Sequence, residues 1–223
     1  MQLAHPHIVR AFDAGLDPRT REPYIATEFV TGGDLEAMSS TACNERMATE
    51  IAGDLFGALG YGHTNGFLHR DVKPANVLLA VEGGRLRGKL NDFGLAKSFR
   101  DAGGTSITED GEAAGSVLFM APEQLLHFKT VGPSADVYGA AATLFCLLTG
   151  RSPLQLSTQG EVTMATACAA TLDVARVPVR TLRPELSPAL AEWIDRLVAR
   201  DPAAREATHA TKVADALRAL TRA

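Results

Sequence analysis

The chain has 223 residues, of which 46% are hydrophobic and 22% charged, and this composition is typical of a folded globular protein. With 22 Lys and Arg against 26 Asp and Glu, the net charge of −4 gives no electrostatic reason to expect nucleic acid or an anionic membrane as a partner. The longest apolar stretch, residues 137–148, is too short to span a bilayer. Three widely spaced cysteines without metal-ligand spacing predict reduced thiols and a cytoplasmic protein: Cys43, Cys146 and Cys168.

The first third of the chain alternates strand-like runs with one strong helical pattern. Residues 7–16 and 24–30 are predicted strands, separated by an Asp-Pro-Arg turn signal. A Thr-Gly-Gly-Asp break follows, in which Asp34 is a candidate helix N-cap. The spacing of apolar residues then predicts an amphipathic helix over residues 44–63.

The rest of the chain is predicted to be mainly helical. Two short strands are expected over residues 77–80 and 88–91, joined by a Gly-Gly turn. A polar, glycine-rich segment over residues 97–115 predicts a mobile loop. With no repeat or linker in the sequence, we expect one α+β body, whose remaining apolar helices are predicted near residues 121–127, 134–149, 188–199 and 209–221.

Three separated motifs place polar side chains on irregular backbone beside the predicted strands. They read His-Arg-Asp-Val-Lys-Pro-Ala-Asn over residues 69–76, Asp-Phe-Gly over 92–94 and Ala-Pro-Glu over 121–123. The first two motifs contain two carboxylates and an amide, which are the hard oxygen ligands that Mg²⁺ prefers, and a lysine that can neutralise a phosphate. The sequence therefore predicts a site for moving a phosphoryl group.

The identity, order and spacing of these motifs resemble the catalytic loop, the metal-binding motif and the Ala-Pro-Glu motif of the eukaryotic-type (Hanks-type) protein kinases. Lys73, two residues after Asp71, resembles the serine/threonine branch, and the style of the surrounding sequence resembles bacterial members. The resemblance implies a protein-kinase-like α+β fold, mainly the α-helical C-lobe with the last strands of the N-lobe.

The same resemblance implies a division of the chain into two parts. Residues 1–30 would be the remnant of the N-lobe, with the end of a helix, two strands and the hinge. Residues 31–223 would form the C-lobe, with the catalytic loop over 69–76 and the activation segment over 92–123.

By resemblance, each polar residue of the predicted site has a role. Asp71 would accept or orient the proton of the substrate hydroxyl, and Lys73 would lie against the γ-phosphate of ATP. Asn76 and Asp92 would hold Mg²⁺ on the ATP phosphates. Ser116, in a Gly-Ser-Val-Leu-Phe stretch where the family has Gly-Thr-x-x-Tyr, would bridge Asp71 and Lys73.

The family also implies a nucleotide pocket before the catalytic loop. The stretch from Glu28 to Val30 resembles the hinge that binds adenine through its backbone, with Thr27 just before it at the gatekeeper position. Asp34 is expected at the ribose, and Leu78 beneath adenine, although an ordinary core position in a strand explains Leu78 equally well.

Other residues are expected to support this site. Glu123 would form a buried ion pair with Arg205, and Asp136 would brace the backbone of the catalytic loop. His63, at the end of the long predicted helix, is expected to serve core packing or capping. His69 and Phe93 are expected to pack behind the site, and Gly94 is expected to have a structural or regulatory role.

Arg70, directly before Asp71, indicates regulation by phosphorylation, since an arginine there can pair with a phosphate on the activation loop. Acidic residues in that loop already supply negative charge, which leaves an unregulated loop as the alternative. The candidates for autophosphorylation are Thr105, Ser106 and Thr108.

The glycine-rich loop and strand lysine that the family carries upstream of His5 are absent from this sequence. We therefore expect Met1 to be an internal methionine taken as a start, or the gene to be truncated, and these 223 residues alone to have little or no activity. The favoured function is transfer of the ATP γ-phosphoryl group to Ser/Thr hydroxyls of proteins. The alternative is an impaired kinase-like fragment or partner-binding pseudokinase, and a small-molecule kinase is weaker because such enzymes lack the Ala-Pro-Glu segment.

Overall fold

The computed structural model describes residues 3–38, 43–93, 110–127, 130–154, 162–206 and 209–221. These residues form an α+β structure in which two β-hairpins lie beside a helical body. Four residues that the sequence singled out lie outside the described residues, namely Gly94, Thr105, Ser106 and Thr108.

The first hairpin consists of β1 (Ala11–Leu16) and β2 (Pro23–Thr27), which pair antiparallel with a register shift near the start of β1. Almost every residue of both strands is exposed. The first predicted strand begins later than expected, because the preceding stretch hydrogen-bonds elsewhere: Val9 N–H donates to Leu90 O at 2.9 Å, and Leu90 N–H donates to His7 O at 2.9 Å. That stretch is therefore fixed to the second hairpin.

The second hairpin, β3 (Val77–Glu82) and β4 (Arg85–Leu90), confirms the two strands predicted in this region. Its two-residue turn has φ values of 57° at Gly83 and 75° at Gly84. Both are in the left-handed region that a tight hairpin turn needs and that glycine adopts without steric cost.

Two helices begin at side-chain caps, of which the one at Asp34 confirms the capping residue read from the sequence. Helix α1 (Leu35–Met38) begins after Asp34, whose Oδ1 accepts the N–H of Ala37 at 2.9 Å. Helix α2 (Glu45–Thr64) begins after Asn44, whose Oδ1 accepts the N–H of Met47 at 2.9 Å. Its apolar face is buried, so the predicted amphipathic helix is confirmed.

The helical body surrounds α2, which packs against α5 (Pro133–Thr149), α10 (Ala210–Leu220) and strand β4. Helix α5 is buried along most of its length and ends at Gly150, which has a φ of 70°. Within the described ranges, no helix has both the length and the apolar character needed to cross a bilayer. The remaining helices are α3 (Asp110–Val117), α4 (Pro122–His127), α5 (Pro133–Thr149), α6 (Met164–Asp173), α7 (Val179–Leu182), α8 (Pro188–Leu197), α9 (Ala203–Glu206) and α10 (Ala210–Leu220).

The predicted mobile loop over residues 97–115 is wrong from Asp110 onward, because α3 begins there. Helix α3 packs against α6, and its buried Ala114 and Val117 meet Ala167 of α6 in a small apolar cluster. The segment is polar and rich in glycine, but the contact of two apolar side chains with a partner helix stabilises this short helix.

Candidate active site

The catalytic-loop motif lies on irregular backbone between α2 and β3, with a 3₁₀ turn over Pro74–Asn76. The amide nitrogen of Asn76 donates to the backbone O of Asp71 at 2.7 Å and to its carboxylate Oδ2 at 2.9 Å. The Nζ atom of Lys73 lies 3.1 Å from the same Oδ2. One carboxylate oxygen is thus held from two sides, while the Asp71 side chain is still 45% exposed.

Lys73 also connects the catalytic loop to the end of α3. Its Nζ donates to the Oγ of Ser116 at 2.8 Å. Lys73 therefore contacts both Asp71 and Ser116, so these three side chains lie together although they come from separate parts of the chain.

Asp136, in the first turn of α5, holds the backbone that leads into Asp71. Its Oδ1 accepts the N–H of Arg70 at 2.7 Å, and its Oδ2 accepts the N–H of His69 at 2.8 Å. His63, which we expected only to pack or cap, has its Nε2 2.8 Å from the same Oδ2. A single buried carboxylate thus fixes the catalytic loop to both α5 and α2.

His69 links the catalytic loop to the segment after β4. Its Nε2–H donates to Asn91 O at 2.7 Å, and its Nδ1 accepts the N–H of Asp71 at 3.3 Å, which is consistent with one ring tautomer. The His69 ring meets the ring of Phe93 edge-on, with centroids 5.1 Å apart. Asp92, between Asn91 and Phe93, is therefore placed beside the catalytic loop.

The carboxyl group of Asp92 lies in an unfavourable electrostatic setting. The protein atoms packed around it raise its pKa above the ordinary value, and the negative charge of Asp71 adds to this effect. His69 and Lys73 oppose the shift without cancelling it. Burial is thus the main cause of the raised pKa, and a cation bound at the Asp92 carboxylate would stabilise its ionised form.

Glu28 is the first residue of the stretch that the resemblance implies to be the nucleotide-binding hinge, and Thr27 directly precedes it. The Glu28 carboxylate accepts both from Lys89 of β4, at 2.7 and 2.8 Å, and from the N–H of Arg10 at 2.9 Å. Burial alone would raise its pKa, but these hydrogen bonds lower it overall. Thr27, Asp92 and Phe93 line one cavity of about 160 Å³.

Three more expected pocket or support residues have defined places. Asp34 forms an isolated antiparallel bridge with Leu78 of β3. Val30, which lies between β2 and Asp34 in the sequence, is half-buried. Leu78 is itself half-buried. Leu78 is a residue of β3, and this position is compatible with both expectations stated for it, a place beneath adenine and an ordinary position in a strand.

Glu123 of α4 and Arg205 of α9 form an ion pair through Oε1 and Nη2. The Arg205 side chain is completely buried, and its guanidinium also lies over the ring of Tyr138, 5.1 Å from the centroid. This pair joins the Ala-Pro-Glu motif to the helical body.

Sequence reasoning missed two glycines at which helices approach the site. A Cβ atom on Gly62 of α2 would lie 2.1 Å from Cζ of Phe93, and one on Gly139 of α5 would lie 2.8 Å from the backbone O of Val72. Glycine inside a helical pattern usually has a packing reason, so this signal was present in the sequence.

Sequence reasoning also missed Gln124, which follows the Ala-Pro-Glu motif. Its side chain is buried and donates from Nε2 to the backbone O of Arg70 at 2.9 Å. A glutamine at the third position of a helix is a capping signal, but nothing in its spacing indicates a contact with the catalytic loop.

The similarity of this chain to known proteins agrees with the geometry of the site. The family model for the protein kinase domain matches residues 1–215. The chain is 38% identical over 221 residues to the serine/threonine-protein kinase PknK of Mycobacterium tuberculosis, covering 98% of this chain and 19% of PknK. It is 32% identical over 220 residues to the serine/threonine-protein kinase PknB of Mycolicibacterium smegmatis, covering 97% of this chain and 34% of PknB. The chain thus spans a minor part of the curated relatives it matches.

Solved structures show the same fold. The kinase domain of Mycobacterium tuberculosis PknI superposes with a TM-score of 0.68 and 28% identity, covering 97% of this chain and 73% of that one. Rad53 residues 1–466 in complex with AMP-PNP superpose with a TM-score of 0.70 and 28% identity, covering 96% of this chain and 50% of that one. The chain therefore belongs to the protein kinase domain family, in its bacterial Hanks-type serine/threonine branch.

Proposed function

We propose that this chain forms the catalytic part of a serine/threonine protein kinase that transfers the γ-phosphoryl group of ATP to Ser/Thr hydroxyls of proteins. The observation that carries the proposal is the Asp71 carboxylate, held at Oδ2 by both Lys73 and Asn76. A partner-binding pseudokinase would have no need of this arrangement.

Asp71 is the proposed base. Because Lys73 and Asn76 both engage Oδ2, the carboxylate orientation is fixed and Oδ1 is left for the hydroxyl of an acceptor. A carboxylate in hydrogen-bond reach of the hydroxyl can orient it and accept its proton as the new P–O bond forms.

Lys73 is the proposed electrostatic partner of the transferred group. Its ammonium already lies between the carboxylate of Asp71 and the hydroxyl of Ser116, so it approaches any acceptor hydroxyl bound at Asp71. Such a fixed positive charge stabilises the negative charge that develops on the phosphoryl oxygens during transfer. Ser116 keeps the lysine in this position.

Asn76 and Asp92 fit a Mg²⁺ ion by the chemistry of their donor atoms. The amide nitrogen of Asn76 is used on Asp71, which leaves its hard oxygen Oδ1 for a cation. Within the described ranges, no three His, Cys, Asp or Glu side chains form a metal-binding group, so the phosphates of ATP would complete the coordination. When bound, Mg²⁺ neutralises charge on these phosphates.

The nucleotide is proposed to bind between the two hairpins. The backbone of Glu28 to Val30 would contact adenine, Leu78 would lie beneath the base, and Asp34 would contact the ribose. The likeness to Rad53 in complex with AMP-PNP supports an adenine nucleotide at this place. Because ATP is the donor, the proposed reaction takes place in the cytoplasm.

For the organisation of the chain, we propose that residues 1–30 contribute strands and hinge to the upper lobe and residues 31–223 form the lower lobe. The pairing of His7 and Val9 with β4 attaches that short stretch to the lower lobe instead. We also propose autophosphorylation at Thr105, Ser106 or Thr108, with Arg70 as the phosphate partner.

The test uses the full-length protein purified from its host, incubated with Mg²⁺ and γ-labelled ATP, with a generic basic protein as acceptor. Labelled phosphoserine or phosphothreonine is expected from the wild type, and loss of the label from Asp71→Asn. A protein that binds Mg-ATP in a thermal-shift assay but labels neither itself nor the acceptor would overturn the proposal in favour of the pseudokinase. Peptide mapping of the labelled protein locates the modified residue.

A further inference from the structure

Arg70, which directly precedes Asp71, has an unfavourable backbone conformation. Its φ of 68° lies in the left-handed region, which non-glycine residues rarely adopt. Such a conformation persists only where surrounding contacts impose it. The contacts that hold Arg70 are therefore the contacts that set the direction of the chain as it enters Asp71.

Both backbone polar groups of Arg70 are held by buried side chains. Its N–H donates to Oδ1 of Asp136 at 2.7 Å, and its carbonyl oxygen accepts from Nε2 of Gln124 at 2.9 Å. The Asp136 residue is 2% exposed and Gln124 is 4% exposed, so water does not compete well for either bond. The carbonyl of Arg70 belongs to the peptide bond that joins it to Asp71.

The oxygen of the Gln124 side-chain amide also has a fixed partner. Its Oε1 accepts the N–H of Ala121 at 3.1 Å, at the residue before helix α4, and its backbone N–H donates to Ala121 O at 2.9 Å. This reciprocal pattern caps the helix. With Oε1 used on an N–H and Nε2 used on a carbonyl, only one orientation of the amide satisfies both partners.

The geometry points to Gln124 as a positioning residue for phosphoryl transfer, which fixes the peptide plane between Arg70 and Asp71 and thereby aims the Asp71 carboxylate. This inference rests on the proposed kinase function. The Gln124–Arg70 hydrogen bond also connects residues 116–124 to the catalytic loop. This contact is independent of the Lys73–Ser116 hydrogen bond.

Gln124→Glu separates this role from helix capping. A glutamate keeps an oxygen for the N–H of Ala121, so the cap survives, but the ionised carboxylate has no donor for the carbonyl of Arg70. At pH 8 we expect kcat to fall on the order of tenfold, as for the loss of one buried hydrogen bond, with the KM for ATP unchanged.

Lowering the pH should restore the lost donor. A protonated glutamic acid donates its O–H to Arg70 while its second oxygen still accepts from Ala121, and burial raises the pKa of such a carboxyl. The ratio of the variant's kcat to that of the wild type is therefore expected to rise towards one between pH 8 and pH 6. A purely structural role of Gln124 does not produce this pH profile.

A second variant and a control complete the design, all in the full-length protein. Gln124→Met has similar length but neither donor nor acceptor, and its loss of kcat should not depend on pH. Thr49→Val removes a buried hydroxyl that bonds to Glu45 O at 2.6 Å within α2, far from the site in the fold, and should keep wild-type kcat.

The outcomes separate the two proposals. An inactive wild type refutes the kinase function and with it any positioning role. An active wild type with unchanged kcat in Gln124→Met, or a loss in Gln124→Glu that is constant with pH, overturns the role of Gln124 alone. A pH-dependent recovery in Gln124→Glu supports it.

Discussion

The Nζ atom of Lys73 lies 3.1 Å from Oδ2 of Asp71. The Asp71 side chain is 45% exposed, and ion pairs as open to solvent as this one contribute little to the stability of a fold. The pair is therefore better explained by the orientation of the carboxylate than by its energy, and the two properties can be separated by mutation.

Lys73→Met should lower kcat by about 100-fold, since it removes a fixed charge from the site of phosphoryl transfer, while the midpoint of urea unfolding stays near that of the wild type. Steady-state kinetics and urea titration measure the two quantities. Ser116→Ala should show a smaller loss, and Ser116→Thr, which retains the hydroxyl, should be close to wild type. A Lys73→Met protein that unfolds early would show that the lysine is mainly structural.

Asp92→Asn should abolish most activity and yet stabilise the protein at neutral pH. The pKa of Asp92 is raised above 3.8, so its ionised form costs stability at every pH above that raised value. The amide removes this cost. The thermal midpoint of the variant should exceed that of the wild type at pH 7, and the difference should shrink as the pH falls below the raised pKa and vanish below about 3.8, where the carboxyl is protonated in both the folded and the unfolded state.

The thermal shift caused by Mg-ATP tests the metal role of Asp92 in the same variant. It should raise the thermal midpoint of the wild type more than that of Asp92→Asn, because the variant lacks one of the proposed Mg²⁺ ligands. Equal shifts would contradict a metal role for Asp92.

Gly62→Ala should displace Phe93, because the new Cβ would lie 2.1 Å from its ring. Since Phe93 is adjacent to Asp92, we expect a loss of kcat together with a loss of stability. Gly53→Ala, on the same helix, is the matched control. Its Cβ would find only Arg218 Cγ at 3.7 Å, an ordinary contact, so it should stabilise α2 by about 0.5–1 kcal/mol and leave kcat unchanged.

Arg205→Met should lower the free energy of unfolding by about 3–5 kcal/mol, because it leaves Glu123 without its partner in a buried place. The double variant Glu123→Gln/Arg205→Met should recover part of that loss, as measured by urea unfolding. If the single and double variants were equally unstable, the loss would come from packing on Tyr138 rather than from the unpaired carboxylate.

The free energy of unfolding should fall as the pH drops below about 6.5. Burial lowers the pKa of His7 from 6.5, and His5 beside it shifts in the same direction, so the unfolded chain binds protons more readily there. The charged and titratable groups that act on this pair are Asp54, Glu82, Arg87 and Arg218.

His7→Gln tests this pH dependence. A glutamine can still donate to Gly88 O and accept from Arg87, the two contacts that His7 makes in its neutral form, but it does not titrate. Acid unfolding should therefore be less steep than in the wild type.

Local signals in the sequence predicted much of the fold. The Gly83–Gly84 turn and the apolar spacing over residues 44–63 are properties of neighbouring residues, so the second hairpin and helix α2 could be recognised directly. Helix α3 could not, because the partner that stabilises it, α6, lies far along the chain.

In the candidate site, too, some contacts could be predicted from local sequence and others could not. Asp71, Lys73 and Asn76 share one motif, and their mutual contacts follow from its spacing. The contact of Gln124 with Arg70 depends on how α4 packs beside the catalytic loop, as does the fit of Phe93 against α2. Contacts of this kind arise only from the packed tertiary structure.

The exposed β1–β2 hairpin is connected to the rest of the protein by the segment before β1 and the segment after β2, and Glu28 links these two segments. Its N–H donates to Arg10 O at 2.9 Å, its carboxylate accepts the N–H of Arg10 at 2.9 Å, and the same carboxylate binds Lys89 of β4. The hairpin is therefore anchored to β4 through Lys89. Because β4 ends at Leu90, two residues before Asp92, a displacement of this strand would reach both the hairpin and the proposed Mg²⁺ ligand.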